Sequence, residues 1–139
     1  MIIIGYGDSA AAVEALLNDK LEVQSIRTPK HVIVRVSGDA GLANLGRLEA
    51  ELTNIVATWP PLVIIDFTDL AFIASRAMGA LMSFQRRMSL QKGQVRVVAP
   101  PSRVRDALEI ARLHSVLEIF DSLEAALKAK SREGDSDHA

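Results

Sequence analysis

A run of four apolar residues, 62–65, stands near the middle of the chain and ends at Asp66. Three of the four are β-branched, which is typical of a strand buried on both faces of a parallel sheet. Further along, apolar positions follow one another at three- and four-residue steps, as on one face of a helix: Ala77, Leu81, Phe84 and Met88. The pattern therefore predicts a central strand, a short loop and a helix, with Ser75 as the N-cap of that helix.

The same periods predict elements on both sides of this centre. Alternating apolar positions predict strands at residues 21–27 and 31–37, and helical spacing predicts a helix at 45–59 with Asn44 as its N-cap. Gly93 is expected to end the central helix. Two more strands are predicted at 95–98 and 116–120, and each precedes a helix. Ser102 is expected to cap the helix after the first of these strands, and Asp121 or Ser122 the helix after the second.

The resulting order is β-β-α-β-α-β-α-β-α. Helices that alternate with strands predict an α/β fold, here with a mostly parallel sheet of four or five strands and four helices. We assign residues 21–130 to this single domain and residues 1–20 to an N-terminal extension, a predicted strand and helix of unknown role. The extension is a candidate contact for a homo-oligomer. Residues 131–139 are polar and are expected to be disordered.

Composition narrows the classes of function. The chain has 139 residues, the size of one domain, and a hydrophobic content of 49%, enough for a core. A net charge of −1 and an aromatic content of 4% disfavour a nucleic-acid partner. Cysteine is absent, which rules out disulfides and thiolate chemistry and is compatible with a reducing compartment. No apolar run approaches the roughly 20 residues of a membrane span.

The segment around Ser75 resembles the signature of STAS domains, the family of sulfate transporters and anti-sigma factor antagonists. The family motif Phe-Ile-Asp-Ser-Ser-Gly-Leu-Gly corresponds to FIASRAMG at residues 72–79. Ser75 falls on the serine that is phosphorylated in the family, and Gly79 falls on the second glycine. Three positions depart from the motif: Ala74 in place of the aspartate, Arg76 in place of the second serine and Ala77 in place of the first glycine.

Two other segments carry the resemblance further. Gly38 and Asp39 match the start of a Gly-Glu-Leu-Asp-like run that follows the second strand of the family, although Gly41 replaces its later aspartate. Residues 104–127 resemble the C-terminal half of the domain. The resemblance therefore covers about residues 21–130, most of the chain.

The resemblance implies a regulatory binding protein of the bacterial cytoplasm, with no catalytic activity and no cofactor of its own. The unmodified protein would bind an anti-sigma factor that is itself an ATP-using serine kinase. Phosphorylation of Ser75 would weaken that complex, and a phosphatase would reset it. The implied contact residues are Gly38, Asp39, Ser75, Arg76, Met78 and Gly79.

Two other interpretations of the same segment stay open. Ser75 could be only an N-cap, whose hydroxyl accepts an N–H of the first helical turn and contributes about 1 kcal/mol. Alternatively, the domain could be a STAS scaffold that does not switch, in a signalling or lipid-transporter complex. The departures at Ala74, Arg76 and Gly41 favour the scaffold.

A small enzyme built on Asp66 and Asp69 is a third alternative, because ligand sites in open α/β sheets lie at the carboxyl ends of strands. Neither a histidine nor a third acid is close to them in sequence, so hydrogen bonding within a turn explains these residues better. The three histidines have no ligand spacing, and no metal site is predicted.

Overall fold

The computed structural model describes residues 20–130, so the predicted N-terminal strand and helix and the predicted disordered tail lie outside the described residues. The strands are β1 Leu21–Arg27, β2 Val32–Ala40, β3 Leu62–Asp66, β4 Leu70–Ile73, β5 Gln94–Val98 and β6 Glu118–Phe120. The helices are α1 Leu45–Val56, α2 Ser75–Leu90, α3 Arg103–Ile110 and α4 Leu123–Lys128. Short 3-10 turns stand at Leu42–Asn44 and Leu113–Ser115.

The strands form one sheet in the order β1-β2-β3-β5-β6, in which only β1 is antiparallel to its neighbour. Strand β4 pairs with β2 in parallel, beyond the point where β3 ends. The predicted α/β fold, its four helices and its mostly parallel sheet are confirmed, but the described sheet has six strands, more than the four or five predicted.

The additional strand exists because β2 is longer than the sequence suggested. It continues past the polar residues 37–39 to Ala40, through an irregular register between Gly38 and Asp39. The last part of β2 thereby offers hydrogen-bonding groups to a segment predicted as loop. Leu70 pairs with Gly38, and Ile73 pairs with Ala40.

Alternating side chains divide the interior between the two faces of the sheet. Val63 and Ile65 belong to the main core, together with residues of α1, α2 and α3 such as Leu52, Phe84 and Leu108. Ile64 points the other way and packs with Val98 and Ala126 in a smaller cluster beneath α4. Within the described part of the chain, every helix is too short or too polar to cross a bilayer.

Two predicted helix ends are wrong. Helix α1 ends at Val56, and Trp59 lies beyond it with φ 55° and 68% of its surface exposed. Helix α2 ends at Leu90, before the predicted Gly93, and the residue with a left-handed backbone after it is Lys92, with φ 65°. The Gly93 N–H donates to the Met88 carbonyl at 2.8 Å, and a Cβ on Gly93 would lie 2.9 Å from the Pro60 oxygen. Close packing, rather than a positive φ, therefore explains this glycine.

The predicted caps of the last two helices are confirmed. Ser102 Oγ accepts the Arg105 N–H at 3.1 Å, and Ser122, rather than Asp121, accepts the Ala125 N–H at 3.1 Å. Arg105 also donates to Asp121 Oδ1 at 2.7 Å, which ties α3 to the loop before α4. This hydrogen bond raises the pKa of the Arg105 guanidinium above its ordinary value.

Candidate partner-binding site at the carboxyl edge of the sheet

The residues predicted to contact a partner meet at the carboxyl edge of the parallel strands. Gly38 and Asp39 lie near the end of β2, and β4 runs beside them directly into α2. The Ala74 N–H donates to the Ala40 carbonyl at 3.0 Å, which holds the start of α2 against the end of β2. One region of the surface therefore contains both predicted segments.

Ser75 is the first residue of α2, so its predicted role as the N-cap is wrong. The N-cap is Ala74, whose backbone is extended (φ −83°, ψ 159°) because its pairing with Ala40 continues the β4 conformation by one residue. The Ala74 carbonyl accepts the Met78 N–H at 3.0 Å, and alanine offers no side-chain cap. The Ser75 hydroxyl is exposed and makes no hydrogen bond with any residue of the described range 20–130.

The first turn of α2 is electropositive. The N–H groups of its first three residues, 75–77, have no acceptor within the helix, as at any helix start. No acidic side chain stands in this turn, and the exposed Arg76 forms no ion pair with the residues that the structure describes. The positive end of the helix dipole adds to this field. An anion attached to Ser75 would therefore meet a favourable environment.

Apolar side chains that the sequence analysis missed are exposed on the two segments that meet at the start of α2, the end of β2 with its following turn and β4. Leu42 is 65% exposed, in the 3-10 turn after β2, and Phe72 is 51% exposed on β4. Phe72 lies next to the backbone of Gly41, where a Cβ would stand 3.7 Å from its ring. No pattern in the sequence marks Leu42, which stands between Gly41 and the predicted N-cap Asn44, as an exposed residue. We call Leu42, Phe72 and Ser75 with residues 76–79 the Ser75 surface.

Met78 and Gly79 differ in how accessible they are to a partner. Met78 is half-buried and packs against the main core, so that only part of its side chain faces outward. Gly79 is exposed, and a Cβ there would meet no atom within 4 Å. A groove of about 700 Å³ runs between α1 and α2 beside Gly79 and is bordered by Arg76 and Glu49. The helix backbone at Gly79 is open to close approach.

Gly38 and Asp39 are fixed by the fold. Gly38 has φ +93°, and a Cβ on it would come within 2.0 Å of the Lys20 carbonyl oxygen. The Asp39 N–H donates to the same carbonyl at 3.0 Å, and the Asp39 carbonyl accepts Asn44 Nδ2 at 2.8 Å. Asn44 stands at the predicted N-cap of α1, but its side chain makes no cap hydrogen bond there. These contacts shape the loop that presents Leu42.

Asp66 and Asp69 form a turn. Asp66 is only 3% exposed, and its Oδ1 accepts the backbone N–H of Thr68 at 2.9 Å and the Thr68 hydroxyl at 2.5 Å. Its Oδ2 lies 3.8 Å from Arg35 Nε. The exposed Asp69 uses its carbonyl to accept the Gly38 N–H at 3.3 Å. Between residues 20 and 130, no three His, Asp or Glu side chains are grouped to hold a metal ion.

Comparisons with known proteins agree with this architecture. A crystal structure of an anti-sigma factor antagonist from Mycobacterium paratuberculosis has a TM-score of 0.73 at 23% identity, over 78% of this chain and 92% of that one. The anti-sigma factor antagonist SpoIIAA in its unphosphorylated form gives 0.61 at 16% identity, over 86% and 95%. The Bacillus cell fate determinant SpoIIAA in its phosphorylated form gives 0.56 at 15% identity, over 86% and 98%.

At such low identities these structural matches show a shared fold and no more. A comparison with curated protein sequences found no match. A family model of the STAS domain, however, matches residues 22–126, which is most of the chain. The chain therefore belongs to the STAS domain family.

Proposed function

We propose that this protein is an anti-sigma factor antagonist that binds a serine-kinase anti-sigma factor through the Ser75 surface and is released when Ser75 is phosphorylated. The observation that carries the proposal is the exposed hydroxyl of Ser75, which stands at the start of a helix without serving that helix as a cap. The anti-sigma factor antagonists that share the fold support the choice of partner.

The unmodified surface has the composition of a contact patch. Leu42 and Phe72 expose apolar area on the turn after β2 and on β4, the two segments that meet at the start of α2, and burying one such side chain fully against a partner contributes about 1.5–3 kcal/mol. The open backbone at Gly79 lets a partner approach α2 closely. Binding is therefore favourable as long as Ser75 carries no negative charge.

Phosphorylation changes the charge at that centre. The kinase transfers the γ-phosphoryl group of ATP to Ser75 Oγ, so that an O–P bond forms, ADP leaves and the hydroxyl proton passes to a base of the kinase. The phosphoserine carries a charge of about −1.5 to −2. The N–H groups of the first turn and Arg76 then stabilise the phosphate in place. Closing the interface over this charge would desolvate it, and the complex weakens.

In this scheme the protein is a substrate and a ligand. ATP and magnesium belong to the partner kinase, and a phosphatase removes the phosphate. The second candidate is a STAS scaffold whose binding ignores Ser75. The first turn of α2 favours it in one respect, because Ala74 leaves the turn without the acid that the family motif carries before the serine.

Phosphate mapping tests the switch directly. We expect that incubation with the cognate anti-sigma kinase and ATP places phosphate on Ser75, detected by mass spectrometry. Ser75→Ala should abolish the label, whereas Ser89→Ala should retain it; Ser89 is a matched control because it is also exposed, on the last turn of the same helix. Label on another residue, or no label from a kinase shown to be active, would overturn the switch.

Binding measurements separate the two candidates. Ser75→Asp should weaken binding to the anti-sigma factor at least about tenfold, since a charge at the centre of a contact patch costs more than 1.4 kcal/mol. Ser89→Asp adds the same charge roughly 21 Å along the helix and should leave affinity unchanged. A partner that binds both variants equally well would indicate the scaffold instead.

A further inference from the structure

A second cavity lies at the opposite edge of the sheet, where β2, β3 and β5 begin. Its volume is about 410 Å³, and its walls include Lys30, His31, Leu62, Arg96, Leu127 and Ala129. No acidic side chain lines it. It opens between the start of β2 and the end of α4, on the far side of the domain from Ser75.

Arg96 is the buried charge of this cavity. Its side chain is 2% exposed, and Nη1 donates to the Ala126 carbonyl at 2.8 Å. Its Nε lies 3.7 Å from Glu118 Oε1, too far for a hydrogen bond, and this buried Nε has no hydrogen-bond partner among the described residues. A buried donor without an acceptor is costly, so the site lacks part of its counter-charge.

The other cations at the cavity are unpaired. Neither Lys30, on the wall, nor Lys130, next to the wall residue Ala129, forms an ion pair with any residue in the described range. Glu118 offsets part of the positive charge of Arg96, and the charges of Lys30 and Lys130 have no acidic partner among the described residues. The cavity is therefore positive and suits an occupant with several carboxylates.

The chain itself carries such a segment, and it begins beside the cavity. Residues 131–139 follow Lys130 directly and contain three acidic residues, Glu133, Asp135 and Asp137, against one arginine. Over residues 20–130, Lys and Arg outnumber Asp and Glu by four, although the whole chain has a net charge of −1. An extended chain advances about 3.3–3.6 Å per residue, so these acids reach the cavity from Ala129 without a long loop.

We propose that the cavity is an anion-binding site whose occupant is the acidic segment 131–139 of the same chain. The carboxylates of this segment supply counter-charge to Arg96 and Lys30 and join the end of α4 to the start of β2. A short tether gives a millimolar effective concentration, so weak contacts suffice. Since the site is remote from Ser75, occupation leaves the Ser75 surface accessible.

The absence of cysteine permits a clean test in the full chain. A nitroxide attached to Ser136→Cys should broaden the amide NMR signals of Lys30, His31, Leu62 and Gln94 relative to a diamagnetic label. The signal of Ser75 should stay sharp. Because the Debye length shortens from about 8 Å at 0.15 M salt to about 3 Å at 1 M, the broadening should largely disappear in 1 M salt.

Two charge reversals supply the specificity control. Lys30→Glu should remove at least half of the broadening, whereas Lys92→Glu should leave it unchanged. Lys92 is an exposed lysine at the same edge of the sheet that does not line the cavity. Equal effects of the two variants, or broadening spread evenly over the domain, would overturn the proposal. Citrate or phosphate that shifts the cavity amides while the label leaves them sharp would assign the site to a free anion and equally overturn it.

Discussion

Three helices of this domain begin beside a serine, and they use it in two different ways. Ser102 at α3 and Ser122 at α4 are N-caps, and each hydroxyl accepts a backbone N–H of the first turn at 3.1 Å. At α2 the N-cap is Ala74, and Ser75 stands one position inside the helix with its hydroxyl exposed. Two serines cap their own helices, and the hydroxyl of the third is exposed and makes no hydrogen bond with the described residues.

The cause of this difference is a contact between distant parts of the chain. Ala74 is held in an extended conformation by its hydrogen bond to Ala40, the last residue of β2, and takes the N-cap position, so α2 starts at Ser75, one residue earlier than a cap at Ser75 would require. The strand pairing that builds β4 therefore also determines the exposure of Ser75. Position within the first turn, rather than residue type, separates a serine that caps its helix from one whose hydroxyl stays exposed.

The largest predicted effect concerns the two glycines that were expected to contact a partner. Gly38→Ala should lower the free energy of unfolding by roughly 2 kcal/mol or more, because of its positive φ and the crowding by the Lys20 carbonyl. Gly79→Ala should raise it by about 0.5–1 kcal/mol, since the site is open and alanine favours a helix. Urea denaturation measures both. Equal losses would show that the two glycines do not differ in this way.

The serines themselves come next. Ser102→Ala should lower the free energy of unfolding by about 1 kcal/mol, because the Arg105 N–H loses its acceptor. Ser75→Ala should change it by less than about 0.5 kcal/mol, as expected for an exposed side chain without a partner. The two variants are compared by the same denaturation experiment. A loss at Ser75 as large as that at Ser102 would mean that its hydroxyl caps α2 in solution.

A cap can also be added where α2 lacks one. Ala74→Ser should raise the free energy of unfolding by about 0.5–1 kcal/mol, because the extended backbone of residue 74 is that of an N-cap. Thermal unfolding of the variant and of wild type measures the gain. A neutral or negative result would indicate that residue 74 cannot direct a hydroxyl at the first turn.

The sequence was sufficient for the parts of the fold that depend on local periodicity. The strand 62–66 and the apolar face of α2 could be predicted because each side chain's burial follows from its neighbours in the same element. Strand β4 and the start of α2 could not, because both depend on pairing with β2, more than thirty residues away. Trp59 shows the opposite error, since it keeps the helical spacing of α1 after the helix has ended.

The residues of the candidate site also fall into those that the sequence could locate and those that it could not. The family resemblance located Ser75, Arg76 and Gly79, but the exposure of Phe72 and Leu42 follows from how β4 and the loop after β2 are placed, which no local pattern encodes. Gly38 was predicted as a contact residue, whereas its backbone conformation and the nearby Lys20 carbonyl give it a structural reason to be glycine.

The smallest predicted effect on stability is the most informative about function. Ser75→Asp places a carboxylate at the positive end of α2 and should raise the free energy of unfolding by roughly 0.3 kcal/mol at low ionic strength, less in high salt. Ser89→Asp places the same charge in the last turn of α2, where the dipole is unfavourable, and should lower it by a similar amount. Parallel denaturation curves at two salt concentrations measure the difference between the two variants.

These opposite signs matter for the binding experiment. If Ser75→Asp weakens the complex while stabilising the free protein, its effect arises in the interface and cannot be attributed to unfolding. If Ser89→Asp destabilises the protein slightly and yet binds normally, a small loss of stability is not enough to weaken binding. A Ser75→Asp variant that lost stability together with affinity would remove this distinction, and the serine would then resemble Ser102 and Ser122, whose hydroxyls serve their own helices.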